Sequence, residues 1–172
     1  MLKVISIVLI FLLCSSLGFI YSERFKIRYY QLKSIYKTVI LLQNEVIFSS
    51  TALPEAFYDV AGKCKKPLNI ILNRVSKDLD EGKDIDIYSC FKRIYGECKD
   101  EFYLSKEDIS IVEDFLKSLG ESGVYGQDKI FNLCLENLRI NIDEAFEECK
   151  KNTKLYKYLG VCIGAMISIL LL

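Results

Sequence analysis

Apolar residues recur at helical spacing along almost the whole chain. Phe25, Tyr29, Leu32, Ile35, Val39, Leu42 and Val46 follow one another at steps of three and four. That stripe predicts one long amphipathic helix that continues an apolar N-terminal stretch and ends near Ser50. "TALPEAF" then opens a second helix reaching about Gly62, with Thr51 placed to cap it and Pro54 in its first turn. A missing N–H costs little there, and Glu55 meets the positive end of the helix dipole. "KKPLNIILNRVSKDLDEG" predicts a third helix, opened by Pro67 and closed at Gly82, and Asp86 begins a fourth that runs to about Phe102. Ile87, Phe91, Ile94 and Tyr95 mark the inner face of that fourth helix.

In "LSKEDISIVEDFLKSLG", Ser105 and Asp108 stand at capping-box spacing, with Asp in place of the usual Glu or Gln. The fifth helix so opened presents Ile109, Val112, Phe115, Leu116 and Leu119 and stops at Gly120. "ESGVYG" reads as a turn. From Gln127 a sixth helix carries Ile130, Phe131, Cys134, Leu138, Ile142, Ala145 and Phe146 and can run directly into a second apolar stretch. No segment alternates at period two, and the connections are short. The pattern predicts an all-α fold: an antiparallel helical bundle of about six helices, flanked by N- and C-terminal transmembrane helices.

Val4 to Tyr21 is 18 residues without a charge, about 27 Å of helix against a hydrocarbon core of about 30 Å. A cleaved signal peptide needs a shorter apolar core and a small-x-small site, which "CSSLGFIYSERF" supplies poorly. A lipoprotein signal would acylate Cys14, but Phe11, Leu12 and Leu13 fit a lipobox badly. At the other end Tyr158 to Leu172 is 15 uncharged residues, short for a span unless the bilayer thins locally. Gly160 and Gly164 form GxxxG with Ser168 further along the same face, small residues that let membrane helices approach closely. The expected organisation is a transmembrane helix over 1–21, a bundle domain over 22–157 and a C-terminal transmembrane segment over 158–172.

Charge then orients the domain. Arg24, Lys26, Arg28, Lys33 and Lys37 follow the first apolar stretch against Glu23 alone, and Lys150, Lys151, Lys154 and Lys157 precede the second. Both flanks of the middle domain are positive, which predicts that it is cytoplasmic. The overall balance, 23 basic against 23 acidic residues, offers nothing to a nucleic acid. Histidine is absent, which removes the commonest general base and zinc ligand. The seven cysteines are scattered with no CxxC pair and read as reduced, small apolar residues. The mid-chain acids, from Asp78, Asp80, Glu81, Asp84 and Asp86 to Glu97, Asp100 and Glu101, read as solvated helix ends. No phosphate loop, nucleophile elbow or metal-ligand pattern accompanies them. The expectation is a protein that is not an enzyme and takes no cofactor.

Several stretches resemble one family. "YYQLKSIYKTVILLQNEVIFSSTALPEAF" is similar to the long first helix and T-x-L-P-E-A segment of the stage III sporulation protein AB family. "LGESGVYGQDKI" is similar to its L-G-x-x-L-G-x-x-D-x-x-x-Q region, and "KLYKYLGVCIGAMISILLL" to its glycine-spaced apolar end. Ala52 stands where that family often has a second proline, and Gly123 where it has Leu-Gly. The resemblance implies a component of the channel or secretion-like complex between mother cell and forespore. It further implies a bundle like the cytoplasmic domains of type II secretion and type IV pilus platform proteins, which communicate with an ATPase. The partners it implies are the sporulation-operon ATPase and other membrane components of the channel, in the mother-cell membrane around the forespore. Thr51, Leu53, Pro54, Glu55 and Phe57 are the candidate partner-binding corner; Gly160, Gly164 and Ser168 are the candidate transmembrane packing face. The competing reading is an exported or lipid-anchored helical binding protein with its domain outside the cell.

Overall fold

The computed structural model describes residues 2–83, 86–121 and 126–171. Every regular element among them is helical: α1 (Leu2–Gln43), a π-helical turn (Asn44–Phe48), α2 (Leu53–Lys63), α3 (Leu68–Asp80), α4 (Ile87–Cys98), a 3-10 turn (Lys99–Glu101), α5 (Lys106–Glu121) and α6 (Gln127–Leu171). The expected all-α bundle of six helices with long apolar helices at both ends is what the chain forms. Most of the expected turn "ESGVYG", and Asp84 of the acidic run, lie outside the described residues. Two compact units result, Tyr30–Ile142 and the pair of segments Met1–Tyr29 and Asp143–Leu172.

The first unit is the bundle. Leu32, Ile35, Val39 and Leu42 of the α1 stripe are all buried, as are Phe57 and Val60 of α2, Ile71 and Val75 of α3, and Ile94 of α4. Phe115 meets Phe131 edge-on at 5.0 Å between ring centres, which closes α5 on α6. Burying one such side chain stabilises the fold by about 1.5–3 kcal/mol, so this shared apolar face holds the helices together. Thr51 does not cap α2, contrary to expectation. Ala52 occupies the N-cap with no side-chain hydrogen bond, because the chain turns one residue later than its threonine, while Thr51 N–H donates to the Glu45 carbonyl at 3.0 Å.

Polar residues close the other helices where the sequence placed them. α3 ends in a Schellman motif: Gly82 takes φ +63°, its N–H donates to Leu79, and Lys83 N–H donates to Asp78. Asp86 caps α4 by accepting Ser89 N–H at 2.6 Å. At α5 the capping box is reciprocal. Ser105 N–H donates to the Asp108 carboxylate at 2.9 Å, and Asp108 N–H donates back to Ser105 Oγ at 3.1 Å. The fully buried Asp108 also accepts from Asn141 Nδ2 at 2.8 Å, tying α5 to α6.

The second unit is a helical hairpin made of the two ends of the chain. Residues pair antiparallel along it: Phe11 and Cys14 beside Gly164, Gly18 beside Gly160, Arg28 beside Glu148. Both helices are long and apolar enough to cross a membrane. Their outward side chains, among them Leu17, Ile20, Met166, Ile169 and Leu170, are exposed, and a hydrocarbon surface is the medium that such a face fits. The unit extends to Tyr29 and Asp143, past the ends of the charge-free stretches. Tyr156 stacks on Phe25 at 5.5 Å, and Tyr29 lies 5.5 Å from Phe146. Arg28 donates to Glu148 at 2.6 Å, in the same stretch.

Candidate functional site

Two candidate surfaces emerge, one in each unit. In the bundle, α1 unwinds into the π turn, Ser50 adopts φ +55°, and α2 departs from Ala52. Lys63 at the far end of α2 holds Glu45 of the turn by an ion pair of 2.8 Å, which raises the lysine's pKa, chiefly through that hydrogen bond. Ser76 Oγ of α3 donates to the Pro54 carbonyl at 2.7 Å. The corner is therefore braced from two helices.

Of the five residues expected to meet a partner here, Glu55 is exposed, while Thr51, Leu53 and Pro54 are half-buried. Phe57 is 2% exposed and belongs to the core; it supports the corner from beneath. Two aromatic side chains that the sequence reading did not single out stand in the same segments, Phe48 at 77% exposed and Tyr58 at 65%. Their signal was present in "VIFSS" and "AFYDV": Tyr58 falls one step past the buried Phe57, and Phe48 two steps past Val46, the last residue of the α1 stripe.

The membrane-type surface is a seam of small residues. A Cβ built on Gly160 would lie 2.9 Å from the Gly18 Cα and 3.1 Å from the Cys14 carbonyl. One built on Gly18 would lie 2.8 Å from the Tyr156 carbonyl, and one on Gly164 3.1 Å from the Phe11 ring. The expected close-packing face of Gly160 and Gly164 is thus occupied by the chain's own first helix. Ser168 Oγ donates to the Gly164 carbonyl of its own helix at 2.8 Å. Gly18 was not anticipated. Cys14, Gly18 and Ser22 recur four apart, and that small-residue spacing was the readable signal.

Two further concave regions lie in the bundle. An apolar cavity of about 50 Å³ lies among the bundle's core side chains, Ile35, Phe57, Phe91 and Phe115 among them, well below the about 300–1,000 Å³ of a small-molecule site. An open cleft of about 460 Å³ is lined by Arg74, Lys77, Asp78, Lys83 and Arg93. Its charges answer one another: Arg93 donates to Asp78 at 2.6 Å, Lys83 reaches Asp78 at 3.2 Å and Glu81 at 2.5 Å, and Arg74 pairs with Glu97. The Arg93 hydrogen bond, followed by that of Lys83, holds the Asp78 carboxyl below its ordinary range. Asp78 is accordingly a buried helix-to-helix anchor, not a solvated end, whereas Asp86 is an exposed helix end that also caps α4. Burial pushes the Cys134 thiol up to about 12. Among the described residues no three His, Cys, Asp or Glu side chains gather as metal ligands.

Comparison with known proteins agrees with this architecture. A family profile described as "Stage III sporulation protein AB" matches residues 3–172. The Stage III sporulation protein AB of Bacillus subtilis (strain 168) is 24% identical over 172 residues, covering all of both chains. A solved structure of a Stage III sporulation protein AB aligns with a TM-score of 0.65 at 21% identity, covering 72% of this chain and 96% of that one.

Proposed function

The chain belongs to the stage III sporulation protein AB family, and from that premise we propose that it is a non-enzymatic membrane platform in the sporulation channel or secretion-like complex. Its hairpin spans the mother-cell membrane around the forespore, and its bundle lies in the cytoplasm and docks a partner ATPase. The observation that carries this reading is the continuity of α1 and α6, each unbroken from its apolar stretch into bundle sequence. A domain attached to a span at both ends has little rotational freedom, so a shape change imposed on it would reach both spans. The Gly18–Gly160 seam and the Arg28–Glu148 ion pair couple the spans to each other. The basic flanks at Arg24 to Lys37 and Lys150 to Lys157 support the cytoplasmic side for the bundle.

The test is capture of the ATPase encoded in the sporulation operon by the full chain in nanodiscs, with ATP, ADP or no nucleotide. Binding in one nucleotide state is expected. Glu55→Lys and Tyr58→Ala are expected to weaken it at least tenfold while leaving thermal stability within about 0.5 kcal/mol of the parent, as for surface substitutions. Phe57→Ala acts through the fold and costs about 3–5 kcal/mol. No capture in any nucleotide state sinks the docking reading. Protease attack on the bundle in intact cells would sink the cytoplasmic orientation.

A further inference from the structure

We infer that the hairpin carries a collar for anionic phospholipid headgroups, built from Lys150, Lys151 and Lys154 of α6 with Arg24, Lys26 and Lys157; this rests on the membrane-spanning reading above. The antiparallel pairing of Gly18 with Gly160, and of Arg28 with Glu148, brings residues 150–157 alongside residues 20–27. Six cations therefore share one short level of a two-helix structure, against Glu23 alone. Aromatic side chains mark that level as an interface. Tyr21 lies 4.8 Å from Tyr156, Tyr158 is exposed, and Lys157 Nζ sits 5.2 Å over the Phe19 ring, its stem lying back along the apolar segment.

The cations divide into two groups. Lys26 is held by Glu23 at 2.6 Å, and Arg24 lies over the Tyr21 ring at 5.3 Å. Lys150, Lys151 and Lys154 are exposed, and no described carboxylate pairs with them. Eight residues of helix cover about 12 Å, so the whole collar lies within about one to two Debye lengths of the apolar boundary at physiological salt. Basic clusters directly beside a membrane span are the pattern that attracts anionic lipid. Apart from Glu23, the acids of this unit lie on the bundle side of the collar. Asp143, Glu144, Glu147 and Glu148 occupy the next two turns away from the apolar end, and Glu148 is engaged by Arg28 at 2.6 Å. The chemistry calls for a phosphodiester with net negative charge, such as phosphatidylglycerol, in preference to zwitterionic phosphatidylcholine.

The experiment reconstitutes the full chain into phosphatidylcholine vesicles and measures the relative association of spin-labelled phosphatidylglycerol and spin-labelled phosphatidylcholine with the protein. A preference of about fivefold for phosphatidylglycerol is expected, which is what one lysine near a charged surface contributes. The preference falls toward unity in 1 M salt and in the K150Q/K151Q/K154Q variant, and is retained in K150R/K151R/K154R. Equal association of both lipids, or a preference that survives either salt or the glutamine variant, overturns the inference. Alkaline carbonate extraction of the same protein separates the two readings. Retention in the membrane with no lipid preference overturns only the collar, whereas release overturns the membrane reading beneath it.

Discussion

Replacing Gly18 or Gly160 by alanine is expected to separate the hairpin. The added methyl on Gly18 would stand 2.8 Å from the Tyr156 carbonyl oxygen and 2.9 Å from the Gly160 Cα; on Gly160 it would stand 2.9 Å from the Gly18 Cα and 3.1 Å from the Cys14 carbonyl. These neighbours are backbone atoms, so none can rotate away. The helices must move apart by roughly half an ångström or more, and a gap of that size forfeits about a quarter to a half of each dispersion contact along the seam. Overpacking of a close-packed contact costs about 1–3 kcal/mol, and that is the expected loss of hairpin stability for either variant. Gly164 is gentler, because its nearest neighbour is the Phe11 ring at 3.1 Å; alanine there is expected to cost less than about 1 kcal/mol, offset in part by its better helix propensity. Gly96 of α4 has open space around it. Alanine there is expected to stabilise the bundle by about 0.5–1 kcal/mol without touching the hairpin. The assay is SDS titration of the full chain in mixed micelles, followed by energy transfer between dyes at the two chain ends, with the thermal midpoint of the bundle recorded in parallel. Gly18→Ala and Gly160→Ala should lower the SDS midpoint, Gly164→Ala should move it little, and Gly96→Ala should move only the thermal midpoint. If Gly18→Ala and Gly160→Ala titrate like the parent, the close approach is not what holds the two helices together.

Two further predictions concern the bundle. Asp108→Ala removes the N3 acceptor of the α5 capping box and leaves Asn141 Nδ2 without its partner. Loss of a cap and of a buried hydrogen bond sum to about 2–4 kcal/mol, and a thermal midpoint within about 2 °C of the parent would contradict it. The carboxyl of Asp78, held below its unfolded value of 3.8 by Arg93 and Lys83, contributes stability that is fully present above that value and is lost as pH falls through the lowered folded pKa. Urea unfolding between pH 6 and pH 2 should therefore show a loss of stability below about pH 4 that is smaller in Asp78→Asn. An identical pH profile for parent and variant would remove Asp78 from the acid response.

Helix boundaries were legible wherever local chemistry decides them. The Ser105–Asp108 box, the Asp86 cap and the left-handed Gly82 each need only three or four neighbouring residues, and each stands where its residues predict. The corner at Thr51 was not, because capping is decided by where the preceding helix stops. α1 gives way to a π turn over Asn44–Phe48, that turn takes up the Thr51 N–H, and the cap position passes to Ala52. Phe57 shows the same limit for the candidate site. Proximity in sequence to Pro54 and Glu55 suggested a surface, but on α2 the side chain of residue 57 falls on the face shared with Val60 and Ala61, which is buried, while Tyr58 next to it points out.

The two ends of the chain show what a one-dimensional reading cannot reach. Apolar length and flanking charge are properties of one segment, and they sufficed to mark 4–21 and 158–172 as candidate spans. The partner of the glycine face is a property of two segments 142 residues apart, and GxxxG alone does not say whether it meets another protein or the same chain. Gly18 settles this. Its lack of a side chain is complementary in position to Gly160, and the pairing that aligns them also sets Arg28 against Glu148 and Tyr156 against Phe25. Three kinds of contact, steric, ionic and aromatic, agree on one antiparallel register. A slip by one helical turn would place Gly18 against Tyr156 or Gly164; the second keeps a glycine pair, but either slip separates Arg28 from Glu148 and Tyr156 from Phe25. That agreement gives the 15-residue C-terminal stretch its place in the hairpin: its basic end at Lys157 is aligned with Phe19, close to where the longer stretch meets its own charges.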